Sequence, residues 1–332
     1  MTEIPNDIVL FGYPNSPYAR KIVWYLTLRK IEYAYCEQPN RLPRPTLEAL
    51  NVSYRRIPLL SIGKDVYCDT RLILRKLELR FPDGRLGTSD PDHRAIERLL
   101  ERYTGDAGIV TRAASLIPPS VFSDPAFVKD REAFSGRKGF WDKARLEAAR
   151  PESVVHIRDA FELLETTLLA DGRDWVFKTN EPSLGDIEAI WPFHWLADLP
   201  GALPPNVISP VQFPRVFAWI QRFRDALKQA QRLSPRQKKV TGDDVVKYMQ
   251  QARFVESVGE IAANDPLGLK PGEVVEVCPI ETGFTHRDKG MLLTLTPNEV
   301  VVGKKMNVGG GEIRIHCPRW GFRITRARNN KL

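Results

Sequence analysis

The chain has 332 residues, 42% of them hydrophobic, enough for two or three domains each with its own core. No apolar run nears the ~20 residues of a membrane span, and the polar start Met1-Thr2-Glu3 lacks the apolar segment of a secretory signal. Cys36, Cys68, Cys278 and Cys317 are scattered, with no Cys-x-x-Cys, which excludes a disulfide framework and fits a reducing cytoplasm. The net charge of +8 divides as +5 over residues 1–87, −2 over 88–234 and +5 over 235–332. The first excess suits an anionic ligand.

The first predicted element is an apolar strand, Ile8 to Phe11, followed by a turn at Gly12-Tyr13-Pro14-Asn15. Ser16-Pro17 then has the form of a helix start: a hydroxyl that accepts an orphan N–H, and a proline where no donor is needed. A hydroxyl beside free N–H groups at the positive end of a helix is also a place to hold an anion, a thiolate included. Arg55-Arg56-Ile57-Pro58-Leu59-Leu60 opens a second strand region, Gly63-Lys64-Asp65 a turn, and Val66-Tyr67-Cys68 a further strand. From the residues alone Pro58 reads as a trans edge proline, the commoner isomer. Asp69-Thr70 caps a helix carrying Leu72, Ile73, Leu74 and Leu77. The order is a βαβ half followed by a ββα half.

Pro82 to Pro91 is dense in chain breakers and reads as a linker. A helix is predicted over 93–116, with Ile96, Leu99, Leu100 and Tyr103 on one face and Gly105 and Gly108 weakening it. Residues 117–150 look irregular and carry Phe122, Phe127, Phe134, Phe140 and Trp141, either a flap over a substrate site or a packed loop. Pro151 starts a helix running to Ala170. Ser183-Leu184-Gly185-Asp186 is a capping box in an aspartate version. Pro192 is expected to kink or end the following helix, and a last helix spans 213–233.

Residues 234–239 form a basic linker, and Thr241 caps a helix whose apolar line runs from Val245 to Val258. From Gly272 the period changes to five short strands, which imply a small barrel or rolled sheet. Arg314, Arg319, Arg323, Arg326 and Arg328 alternate there with Trp320 and Phe322. That pattern fits a solvated sheet face, with single-stranded nucleic acid as the alternative. Cys278, His286, His316 and Cys317 lack zinc spacing, so no metal is expected.

The order strand–Tyr13-Pro14-x-Ser16-Pro17-Tyr18-x-Arg20-Lys21–helix, then Arg56-Ile57-Pro58-Leu59-Leu60, then Asp69-Thr70, resembles the thioredoxin-fold domain of cytosolic glutathione transferases. The Ser183-x-x-Asp186 box after a long helix resembles that of their helical domain, so the likeness covers about residues 8–233. It implies three parts: a thioredoxin-like glutathione-binding domain at 1–84, an all-helical acceptor-substrate domain at 85–233, and an added helix and β module at 234–332. It further implies a cis Pro58, Ile57 pairing with the glutathione backbone, Asp69 and Thr70 gripping the γ-glutamyl end, and Arg56 facing the glycine carboxylate. Ser16 falls at the catalytic hydroxyl, with Tyr13 in reserve, and Tyr18 and Tyr103 belong to the acceptor site. The implied activity is conjugation of glutathione to an electrophilic small molecule, or its reversible addition in an isomerisation, within a biosynthetic pathway of fungal type. With serine at position 16, thiol–disulfide exchange is not expected. The resemblance leaves open a homodimer through residues near Tyr67 and the helical domain. The rival class is a non-catalytic adaptor whose basic β module meets nucleic acid or a protein partner, although nucleic acid and membrane are not the expected partners.

Overall fold

The computed structural model describes residues 3–106, 108–139, 141–234 and 236–327. Phe140 and Arg328, named above, lie outside the described residues. The amino-terminal part runs β1 (Ile8–Gly12), α1 (Pro17–Leu28), β2 (Ala34–Glu37), a short α2 (Pro45–Ala49), β3 (Leu59–Ile62), β4 (Asp65–Cys68) and α3 (Thr70–Arg80). β1 lies parallel to β2 and antiparallel to β3, which turns into β4 at Gly63 with φ 57. A side chain at Gly63 would meet the carbonyl of Arg253, so the turn needs glycine for both its conformation and its neighbour. The Ile57–Pro58 peptide is cis, as is Leu42–Pro43. The family resemblance, not the residues read alone, anticipated the isomer at Pro58.

The helical part comprises α4 (Pro91–Gly105), α5 (Ile109–Ser115), α6 (Pro125–Ser135), α7 (Lys143–Leu163), α8 (Leu184–Asp198) and α9 (Pro214–Leu233). The single helix expected over 93–116 is broken, because Gly108 adopts φ 86 and a left-handed residue cannot continue a right-handed helix. The supposedly irregular 117–150 stretch holds α6 and the start of α7, whose first turns are capped by Asp124 and Asp142. Pro151 therefore lies inside α7 rather than at its start, and Pro192 lies inside α8. Each removes one backbone donor from a helix whose other bonds persist. The capping box is formed: the Asp186 N–H donates to Ser183 Oγ at 3.3 Å, and Asp186 Oδ2 accepts from the Ser183 N–H at 2.9 Å. Asp186 Oδ1 also accepts from Val176 N and from Trp219 Nε1, each at 2.9 Å, which ties α8 to the preceding loop and to α9.

The remaining chain adds β5 (Lys238–Lys239), α10 (Gly242–Gln251), β6 (Val274–Pro279), β7 (Asp288–Leu295), β8 (Glu299–Lys305), β9 (Glu312–Pro318) and β10 (Phe322–Arg326). The last five strands form a sheet, as their period implied, and that sheet is not separate. The order is β10-β6-β7-β8-β9-β4-β3-β1-β2-β5, with β9 parallel to β4 in the register Val66↔Ile315 and Tyr67↔His316. The basic linker supplies β5, which pairs with β2. α10 stops at Gln251 instead of continuing to Val258, because the Val255 and Glu256 N–H groups turn away to Asp65 Oδ2 at 2.6 and 3.2 Å.

Alternation along the strands builds two cores. Ile8, Leu10 and Leu60 face Ile22, Leu72, Trp191 and Trp219 on one side. Val9, Phe11, Leu59 and Val66 face Val245, Val275, Val300 and Ile315 on the other. Tyr67 is 1% exposed and donates to Glu256 Oε1 at 2.7 Å, so this part of the surface considered for a homodimer is covered by the chain's own later residues.

Candidate active site

Strand register gathers the expected site residues. Phe11 pairs with Leu59, and Leu59 with Cys68. The next residues outward, Gly12-Tyr13, Ile57-Pro58 and Asp69, therefore meet at one end of these three interior strands, and α1 and α3 both start there. Ser16 is the N-cap of α1: its Oγ accepts from Ala19 N at 3.2 Å, and its N–H closes the turn onto Tyr13 O at 3.0 Å. Among the described residues its own hydroxyl proton has no acceptor. Asp69 caps α3 through Arg71 N at 3.1 Å, while Thr70 is buried in the first turn. Asp69 is held at φ 72 and ψ 135, a conformation costing a non-glycine residue on the order of 1–3 kcal/mol and seen mostly at working sites.

The adjacent arginines have opposite roles. Arg55 is buried and spends its guanidinium on Asp130, Nη2 donating to the backbone O at 2.8 Å and to Oδ1 at 2.7 Å. Arg56 donates from Nε to Thr282 O at 3.0 Å, with Nη1 3.9 Å from Asp69 Oδ2 and Nη2 3.8 Å from Glu281 Oε2. Nη2 is buried without a hydrogen-bond acceptor, a state that costs free energy until an anion meets it.

Tyr18 belongs to the same group. Its ring packs 4.6 Å from Trp191, and the charges of Arg56, Asp69, Arg71 and Glu281 act on its phenol. Burial, opposed by Arg56, pushes the Tyr18 pKa far up, so the phenol is a neutral donor at pH 7. Burial likewise raises the Glu281 carboxyl, again against Arg56. Tyr13 packs against the opposite core from Tyr18. Tyr103, the other residue expected at the acceptor site, is partly buried on α4, and the charge that acts on it is Asp159. It is not brought into the ring of charges around Tyr18.

Glu188, Arg71, Asp106 and Glu101 escaped the sequence reading. Lys21 and Glu188 form an ion pair with side chains 3% and 4% exposed, and Arg71 pairs with Asp106 and with Glu101 at 3.2 Å. Burial, with Glu188 adding to it, lifts the Glu101 carboxyl to about 7. The available signal was a lone charge in an apolar setting, as at Glu188 between Ile187 and Ala189. The aromatic stretch 117–150 packs on later residues: Phe134 O accepts from Gly283 N at 2.7 Å, and Gly136 sits against the Phe284 ring.

The basic alternation on the last strands is largely spent inside the molecule. Arg314 lies over the Phe254 ring, Arg319 pairs with Asp265 at 2.5 Å, and Arg326 with Glu273 at 3.1 Å. Glu256, Glu299 and His316 bring three possible metal-ligand atoms within 4.8 Å. The Lys76 ammonium bonds those carboxylates at 2.6 and 2.8 Å and supplies the cation there.

Residues 10–85 match the family model described as the N-terminal domain of glutathione S-transferase. A probable glutathione S-transferase of Solanum tuberosum is 26% identical over 102 residues, 31% of this chain and 47% of that protein. Over residues 10–85 the chain is of the glutathione S-transferase family. Glutathione S-transferase U1 of Arabidopsis thaliana is 24% identical over 132 residues, 40% of this chain and 59% of that protein. The chain thus spans about half the length of these curated relatives. Residues 112–232 match a second model, described as a domain of unknown function, DUF7962. In fold, the chain is similar to a GST-like protein from Pseudomonas syringae, with TM-score 0.70 and 21% identity over 97% of this chain and 100% of that chain. That likeness extends past α9 into the added strands. Among the described residues, no helix is long and apolar enough to cross a membrane.

Proposed function

We propose that the protein binds glutathione at the strand ends shared by Tyr13, Ile57-Pro58 and Asp69, and presents its sulfur to an electrophilic small molecule. In this reading residues 1–84 hold the tripeptide, and residues 85–233 and 234–332 shape the acceptor side. The observation that carries it is the buried Nη2 of Arg56, which has no hydrogen-bond acceptor and only a 3.8 Å ion pair to Glu281, beside two helix starts, a set of donors suited to an anionic ligand.

Each residue has a defined task. Arg56 takes a carboxylate. Asp69 takes an ammonium, and the Ile57 backbone fixes the extended peptide. Ser16 directs its uncommitted O–H outward, and with the N–H groups of the first α1 turn stabilises negative charge there. Tyr18 stays protonated because of its burial and stands as a second neutral donor. Glutathione supplies a thiol that, deprotonated to solvent, forms a sulfur–carbon bond as the acceptor's leaving group departs with its electron pair. Reversible addition to an unsaturated ketone uses the same groups.

Isothermal titration of the full chain with glutathione tests the binding. Saturable binding that weakens about ten-fold in Arg56→Ala is expected. Absence of binding at millimolar glutathione overturns the reading.

A further inference from the structure

A large cavity lies away from Ser16. It has a volume of about 1230 Å³ and opens between α3 and α4 on one side and the added β9–β10 turn and the loop around Asp265 on the other. This exceeds the usual ~300–1,000 Å³ of a small-molecule site. Its lining contains eight arginines against five acidic residues.

The acids are already committed. Glu78 accepts from Tyr25 and Arg29, Glu101 pairs with Arg71, Glu188 with Lys21, and Asp265 with Arg319. Glu97 accepts from Thr88 N, and burial raises its carboxyl to about 7, which removes part of its charge. The side chains of Arg75, Arg94, Arg98 and Arg323 make no hydrogen bond or ion pair of 4 Å or less among the described residues. Arg94 and Arg98 stand one turn apart on α4, where like charges repel. The next turn carries Arg102, stacked 4.1 Å from the centroid of the Trp320 ring. Trp320 is 53% exposed, and Phe322 lines the cavity beside it. Unpaired guanidinium groups from three separate elements thus converge on a space with an aromatic wall.

We infer that this cavity binds an aromatic molecule carrying two or more anionic groups. One flat face stacks on the Trp320 side, and the anionic groups take the free guanidinium forks on α3, α4 and β10. The inference does not depend on glutathione binding.

The probe is pyrene-1,3,6,8-tetrasulfonate, followed by fluorescence anisotropy on the full chain, with uncharged 1-pyrenemethanol as comparison. Saturable binding of the sulfonate is expected, weakening with salt and undisturbed by glutathione. The double variant Arg75→Ala/Arg98→Ala, checked for an unchanged melting temperature, weakens it about ten-fold or more. Arg158→Ala, which removes one arginine charge from an exposed position on α7, leaves it unchanged. The inference fails if the sulfonate does not saturate, if the double variant binds within two-fold of the parent, if Arg158→Ala loses as much, or if glutathione displaces the probe.

Discussion

His316 Nε2 lies 3.0 Å from Asp65 Oδ1, an ion pair that joins β9 to β4 across 251 residues of sequence. The other ring nitrogen faces Glu299 Oε1 at 2.7 Å, so the imidazole sits between two carboxylates and is 1% exposed. Lys76, Arg314, Tyr67 and Glu256 complete the surrounding network. Burial alone would lower the His316 pKa, but hydrogen bonds to Asp65 and Glu299 outweigh it and hold it above its ordinary value. Burial works in the other direction on Glu299, where His316 and Lys76 outweigh it and hold the carboxyl below its ordinary value.

The first prediction follows from those signs. A histidine raised on folding stabilises below its unfolded pKa of ~6.5, and that stability is lost as pH rises through the folded value. A depressed glutamate stabilises above its unfolded value of ~4.3, and that stability is lost as pH falls through the folded one. The two contributions coincide between about pH 4.3 and 6.5. Melting temperature should therefore decline on the alkaline side of that window. His316→Ala should cost about 3–5 kcal/mol, because it leaves buried carboxylates without their partner, and should flatten the alkaline decline. An unchanged slope in the variant would remove His316 as its cause.

A second prediction separates Ser16 from Tyr13. Ser16 stands at the start of α1 with a free hydroxyl proton, whereas Tyr13 packs against the other core. In conjugation to a model electrophile, Ser16→Ala should lower kcat about ten- to a hundred-fold and cost about 1 kcal/mol of helix capping. Tyr13→Phe should leave kcat within about two-fold. Steady-state kinetics on both variants, with melting curves alongside, decide the matter; the opposite ranking assigns the sulfur to Tyr13.

Neighbouring arginines give a third. Arg56 keeps a donor without a hydrogen-bond acceptor, while Arg55 is locked to Asp130 with a side chain 3% exposed. Arg56→Ala should raise the glutathione KM about ten-fold with little change in melting temperature, since a hydrogen bond to a charged group is worth about 1.5–3 kcal/mol. Arg55→Ala should mainly destabilise, stranding Asp130. If both act only on stability, Arg56 is structural and the carboxylate lies elsewhere.

What was legible in the chain was local. Ser16, Asp69, Ser183 and Thr241 cap the helices whose starts they announce, because a cap is decided within three or four residues. Alternation revealed the last five strands for the same reason. It could not reveal that β9 would choose β4, a parallel partner fixed by burial of His316 and Ile315 against residues 65–67. A clue existed in β4 itself, whose four residues are all buried although an edge strand should keep a solvent face. Read that way, Asp65 and Tyr67 asked for a further strand. Arg71, Glu101 and Glu188 stayed invisible because their partners come from different helices.

The last prediction tests whether the added strands hold the candidate site in shape. Asp288, 1% exposed on β7, accepts from Ser53 N and Lys304 Nζ at 2.8 Å through Oδ1, and from Tyr54 N at 2.9 Å through Oδ2. It thereby fixes the backbone just before Arg55-Arg56-Ile57-Pro58. Asp288→Ala strands a buried ammonium and two N–H groups, which should cost about 3–5 kcal/mol and lower the melting temperature on the order of 10 °C. Because the loosened segment carries Arg56 rather than Ser16, the glutathione KM should rise while kcat holds. Asp288→Asn, which retains an acceptor, should fall between the two. A variant that melts early yet keeps the parental KM would show that the added strands stabilise the fold without shaping the site.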